Sequence, residues 1–243
     1  MPKSVVEPVL KAGTMVETGE TNKVEIIGAD KMKSVLHQLE SANGVEQLAQ
    51  PEVTTLGGRQ TQMKATDIVN VVTNYALAEM PSNSIGIIPQ TGQIETGPTV
   101  DIVPHVLADG YTIDLRSTAS RLEFIGYADP TNFTHFATNS AGRKIELPVV
   151  LAAAKLGRAS AHQNLFDGQT LVLFPQPEQV SFYGQDPVWA ERVAEFIRQA
   201  ERKNGEKTLV VFITATIVDP ADNRIHSDNE LPFNPSAIPP QPR

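Results

Sequence analysis

The most regular hydrophobic pattern in the chain is a two-residue alternation between Gly97 and Tyr127. Tyr111, Ile113 and Leu115 fall on one side of it, and Thr112, Asp114 and Arg116 fall on the other. This period predicts a strand over Tyr111–Phe124 with one dry and one wet face, paired with a first strand over Thr99–Leu107. Asp109 and Gly110 make the reversal between them. Gly110 provides a positive φ, and the short polar side chain of Asp109 tolerates the neighbouring strained position. The apolar phase moves from odd to even at Leu122 and Phe124, which predicts a bulge within Ser117–Arg121. Pro104 has no N–H for a ladder, so the first strand is expected at an edge or bulged there.

The rest of the chain is less regular. After a loose lead-in, residues 22–27 (NKVEII) read as a short strand. Asp30 is placed to cap a helix over residues 30–43, with Met32, Val35, Leu36 and Leu39 as its apolar stripe and Gly44 as its stop. Residues 51–66 read as a second hairpin turning at Gly57–Gly58, with positive φ expected at both glycines. Its strands are polar on both faces, a pattern suited to lining water. Ile68–Tyr75 continues as a strand. Ala76–Thr96, which includes Ser82, Asn83, Gly86 and Gly92, reads as a long loop that either lies on the surface or projects into a lumen.

Asp129–Arg143 is polar, with Phe133, His135 and Phe136 interleaved. The apolar patch Leu147–Leu156, centred on Val149, Val150 and Leu151, is a core strand, a short helix or a membrane-facing element. Residues 158–174 read as a third hairpin turning at Asp167–Gly168, followed by an irregular link over Pro175–Gly184. Asp186 and Pro187 open a helix over residues 187–204, closed by Gly205, with Trp189, Val193, Phe196, Ile197 and Ala200 on one face. Thr208–Val218 is apolar on both faces and is expected to be a strand covered on both sides. The proline-dense end, residues 221–243, reads as an extended tail.

Composition narrows the functional classes. The chain has 243 residues, a formal charge of −8 and no cysteine. The negative balance and the scattered Lys and Arg argue against nucleic acid as a partner. Without cysteine there are no disulfides, thiolate metal sites or cysteine nucleophiles. His37, His105, His135, His162 and His226 do not sit at close ligand spacing, so no metal or other cofactor is expected. Asp109 and Asp167 each precede a turn glycine, which explains them without a catalytic pair. No phosphate-binding glycine loop or hydrolase elbow occurs, and the reading is that of a non-enzyme. The first residues, MPKSVVEPVLKAGT, hold no signal-peptide core, and no stretch reaches the roughly 20 apolar residues of a membrane-spanning helix. Neither test bears on a β-barrel, whose strands need only about 9–11 residues.

Four segments together resemble the secretin family of outer-membrane channel proteins. QLESANGVEQLAQPEVTTLGGRQTQMK (Gln38–Lys64) is similar to the family's helix, proline-led strand and glycine turn. GPTVDIVPHVLADGYTIDL (Gly97–Leu115), FDGQTLVL (Phe166–Leu173) and TLVVFITATIVDP (Thr208–Pro220) are similar to three later strands, all in family order. Phe174–Pro175 stands where the family has paired glycines, and Ala215 stands where it has a proline. No ring modules precede the matching region. The chain is therefore expected to be either the C-terminal piece of a longer precursor or a degenerate relative.

The resemblance implies a mainly β, α+β domain over residues 29–220, whose hairpins form part of a closed β-barrel in a large homo-oligomer. It implies a passive, gated pore for protein secretion in the bacterial outer membrane, with the lipid bilayer and secretion-system components as partners. Ala76–Thr96 would then be the lumen constriction, and Val149, Val150 and Leu151 would face lipid. The rival is a soluble β-rich binding or scaffold protein that keeps the fold and lacks the channel. The helix over residues 187–204 discriminates between them. On a scaffold it should cover the sheet containing Thr208–Val218; in a ring it should pack on the barrel wall or on a neighbour.

Overall fold

The computed structural model describes residues 14–17, 23–79, 85–129, 135–181, 187–204, 208–227, 230–234 and 237–241. The architecture is mainly β, with antiparallel pairing throughout and two helices among the described residues. A small sheet has the order β1 (Thr14–Glu17), β2 (Lys23–Ile27), β10 (Thr170–Leu173), β12 (Val211–Thr214). A long sheet has the order β11 (Gln176–Ser181), β9 (Leu151–Phe166), β6 (Thr112–Ala128), β5 (Ile85–Val106), β3 (Thr61–Lys64), and β4 (Asp67–Glu79) also pairs with β5. A separate hairpin joins β7 (His135–Thr138) to β8 (Lys144–Leu147). The helices are α1 (Ala29–Ser41) and α2 (Pro187–Asn204).

The small sheet is sandwiched. One face, with Val24, Ile26, Leu171, Leu173 and Ile213, packs on Ile102, Ile113, Leu115, Ala119 and Leu165 of the long sheet. The other, with Ile27, Val172 and Phe212, packs on Met32, Val35 and Leu39 of α1. Fully burying each large aliphatic side chain contributes about 1.5–3 kcal/mol, so this stack is the main source of cohesion. Two-sided cover of the segment after residue 208 is thus observed over residues 210–213, while Thr214 and Thr216 are exposed and the ladder spans only β12. β2 is the short strand expected over residues 22–27, and it is a central strand of the small sheet.

Several local expectations are corrected. α1 begins at Ala29 and has Gly28 as its N-cap, with no side-chain cap; Asp30 sits in the first turn, where its charge suits the helix dipole. Leu36 is exposed and outside the packed stripe. The segment before Gly57 is not a strand: β3 takes its ladder from β5, with Thr61 opposite Ile102 and Lys64 opposite Thr99. Residues 158–174 are not a hairpin either. β9 belongs to the long sheet and β10 to the small one, so Asp167–Gly168 is a corner between sheets. The supposed link after Pro175 is β11, an edge strand, the position in which Pro177 needs no ladder N–H.

The expected bulge is also displaced. Odd positions stay inward through Ile113, Leu115, Ser117 and Ala119, and the register shift falls between Phe124 and Gly126. Small residues at Ser117 and Ala119 hid the continuing phase. As a result Arg121 and Glu123 share the inner face, where they form an ion pair at 3.2 Å. Beyond the shift, Ala128, Leu151 and Ala153 pack on Val193 and Ile197 of α2. Lys155, on the same face, pairs with Glu201 of that helix.

Candidate functional surfaces of the long sheet

The first surface is the face of the long sheet turned away from the small one. Antiparallel partners share a face, so Lys64, Thr99 and Ser120 lie in one row, Gln62, Asp101, Thr118 and Ser160 in the next, and His105, Asp114 and Asn164 in another. These positions alternate with the inward Val100, Ile102, Ile113 and Leu115. The face is tied together by side-chain hydrogen bonds. The Gln60 amide donates to Asp101 at 2.7 Å, Thr118 and Ser160 hydroxyls meet at 3.1 Å, and His162 Nε2 lies 2.6 Å from Asp114. Mixed charges and hydroxyls over four strands make a hydrated wall, unlike a surface meant for a dry partner.

The second surface is an arm. Ala76–Thr96 is not a loop: Ala76–Glu79 and Ile85–Thr96 are strand, and β4 pairs with β5 from Asp67 opposite Thr96 to Glu79 opposite Ile85. The segment hides as a strand because a ribbon exposed on both faces needs no apolar alternation. Gly86 and Gly92 lie within β5, while Ser82 and Asn83 lie outside the described residues.

The arm leaves the sheet at Gly97. This residue has φ +124°, and a Cβ there would lie 2.5 Å from the carbonyl oxygen of Ala65. Only glycine permits the bend and that close crossing. Beyond Gly97, β5 parts from β6, and β4 instead contacts β9. The Val72 N–H donates to the Tyr127 hydroxyl at 2.8 Å, and Val71 is fully buried. A register shift between Val72 and Asn74 marks the same place. Neither Gly97 nor Tyr127 stands out in the sequence as a functional position, because a single Gly-Pro in a polar stretch reads as loop punctuation.

The turn residues fall as follows. Arg59 N–H donates to the Leu56 carbonyl across Gly57–Gly58, but only Gly58 has positive φ, at +78°, as in a type II turn. Gly110, at φ +76°, closes the β5–β6 turn. Asp109 is not in the left-handed region; its carboxylate accepts the N–H groups of Tyr111 and Thr112 and the Thr112 hydroxyl. The Thr112 hydroxyl above all, and then these amides, hold its carboxyl below its ordinary pKa of 3.8. Asp167 is buried, accepts the Ile217 N–H at 2.9 Å and lies 3.0 Å from His226 Nδ1. Gly168, at φ +83°, faces Arg224.

The apolar patch is corrected too. Leu151 is fully buried against α2, and Val149 packs on the same cluster, so these two side chains do not face outward within the chain. Val150 is half-buried. On α2, Val193 and Ile197 carry the packing with Phe196 beside them. Asp186, Gly205 and the Trp189 side chain lie outside the described residues. The helix covers β6, β9 and β11 of the long sheet, while α1 covers the small one.

Among the described residues, no three His, Cys, Asp or Glu side chains converge as a metal site. No helix among them is long and apolar enough to cross a membrane, which says nothing about strands. Comparison with family models, curated proteins and solved structures gives no match to this chain.

Proposed function

We propose that this chain is a secretin-like channel subunit, which donates its long sheet to a β-barrel built by many copies in the outer membrane. The observation that carries the reading is a sheet of long strands with one hydrated face, whose outermost strands pair on one side only. Among the described residues, β11 pairs only with β9, and β4 only with β5. An exposed edge invites pairing, and closing a ring of subunits removes every edge at once. The polar face would then line a water-filled lumen, and the β4–β5 arm, bent over at Gly97, would be the gate. Conduction through such a pore is passive, and no residue performs bond chemistry. The placement of α2 on the long sheet favours this reading over the scaffold.

One observation favours the alternative, a β-rich binding or scaffold protein. The C-terminal segment lies along part of the β9 edge and engages it through Gln241, leaving less edge to donate. Native mass decides between them, measured by light scattering in mild detergent after expression with and without an export signal. A heat-stable particle many times the 26.4 kDa protomer is the expected result. A monomer or dimer indifferent to detergent would overturn the channel.

A further inference from the structure

The ladder between β11 and β9 ends with Gln176 opposite Arg158. Further along the same edge of β9, the place of a strand neighbour is taken by the C-terminal segment. Phe233 stacks on Phe166 with ring centroids 3.8 Å apart, and meets Tyr111 edge-on at 6.0 Å. The buried amide of Gln169 donates to the Ala237 carbonyl, while its own oxygen accepts the Phe166 N–H at 2.8 Å. Ile238 packs on the core between the sheets, and Pro239 is buried. The Asn164 side-chain amide donates to the Pro240 carbonyl at 2.9 Å. Gln241 then clasps the backbone of Asn164 with its side chain, accepting from N–H at 3.2 Å and donating to C=O at 3.3 Å.

The arrangement has the chemistry of a receptor and a ligand. The sheet offers an aromatic slot, a buried amide fixed by its own backbone contact, an apolar seat and a second amide. It engages the segment's main chain at carbonyls, Ala237 and Pro240, and so does not need the N–H groups that Pro239 and Pro240 lack. Proline also restricts the free segment beforehand, which lowers the entropy cost of docking.

We propose that this groove is a binding site for extended, proline-rich peptide. Its ligand is a segment that presents an aromatic ring followed by an Ile-Pro-Pro-Gln run, and the chain's own C-terminus is the resident occupant. A partner polypeptide carrying a segment of that chemistry displaces the occupant. The proposal stands apart from the channel reading, because it concerns a site complete within one chain.

The test uses a fluorescent peptide, ELPFNPSAIPPQ, titrated into the full-length chain. The resident segment competes, so Phe233→Ala in the chain should tighten peptide binding about tenfold relative to wild type, the value of the lost aromatic stacking. Gln241→Ala, which touches neither the core nor the stack, should tighten it about threefold, as loss of the clasp implies. A peptide with alanine in place of its phenylalanine should bind every chain at least tenfold more weakly. Equal affinity for wild type and Gln241→Ala, no binding to that variant, or indifference to the peptide's phenylalanine would each overturn the proposal. Gln241→Ala decides the matter if Phe233→Ala fails to fold, as judged by circular dichroism.

Discussion

The two ends of the long sheet are ordered by different physics. At the inner end, Ile113, Leu115, Ala119, Ala159, Ala161 and Leu165 are all buried against the small sheet. Among the described residues of the β4–β5 arm only Val71 and Ile94 are buried, while Ile68, Ile87 and Ile88 are exposed. Burial holds the first region. The second is a two-stranded ribbon, marginal in isolation, held by one backbone bend and a few anchors. An element that can move is drawn from the less buried end of a structure. In the proposed channel, this asymmetry would separate a fixed wall from a movable gate.

The sharpest way to break the contrast is at the bend itself. Gly97→Val should cost about 4 kcal/mol or more, because it adds a β-branched side chain at positive φ and drives a Cβ into backbone. It should also damage both regions, since β3 pairs with β5 on one side of that point and β4 on the other. Urea denaturation checks it, and a midpoint near that of wild type would show that the bend is not essential. Gly110→Val is the control. Its φ is also positive, at +76°, but nothing lies within 4 Å of the added atom, so only the strain of about 1–2 kcal/mol remains.

A pair of truncations separates the regions. Leu171→Ala in the small sheet should lower global stability by about 3 kcal/mol through the lost transfer energy and the cavity left behind. Val71→Ala removes less apolar surface, about 1.5 kcal/mol. Its effect should appear chiefly as faster hydrogen exchange in β4 and β5 beyond Gly97, with the unfolding midpoint of the wall little moved. Equal loss of protection in β6 and β9 would mean that the arm and wall unfold as one unit.

Tyr127→Phe probes the next smaller contact. It removes the acceptor for the Val72 N–H without altering ring packing on Phe124, whose centroid is 5.3 Å away. The expected cost is about 1 kcal/mol or less, with exchange quickened at Val72. An unchanged rate there would remove Tyr127 from the set of anchors.

The same asymmetry decides what the sequence revealed. Where a strand has one dry face, its period is written in the residues, as at Tyr111, Ile113 and Leu115, and the hairpin around Gly110 was legible. Val193 and Ile197 of α2 were legible from their helical period, and the β12 segment from being apolar on both faces. The arm was not, because Gln90, Thr91 and Gln93 carry no burial pattern that would distinguish a ribbon from a loop. The corner at Asp167–Gly168 misled for another reason. Its residues specify a turn, and a turn does not reveal whether the chain returns to the same sheet or crosses to another. The Gln241 clasp could not be found from local pattern, since its partner lies 77 residues away.

The smallest expected effect lies at the turn of the inner hairpin, where order depends on neither burial nor a bend. Asp109 is exposed, and its contribution should be below about 1 kcal/mol once solvent screening is allowed for. Asn at this position keeps the oxygen that accepts from Tyr111 and Thr112 but replaces the charged oxygen that faces the Thr112 hydroxyl, so Asp109→Asn isolates the charge. The folded-state pKa is depressed below its ordinary value of 3.8, chiefly by that hydroxyl. A depressed carboxyl stabilises the fold at pH above the unfolded value, and the gain is lost as pH falls through the folded one. Wild type should therefore exceed Asp109→Asn in melting temperature at neutral pH, and the gap should close only below about pH 3.8. A gap that persists unchanged at pH 2 would show that the turn is held by the shape of the side chain, leaving Gly110 to carry the reversal without help from the charge.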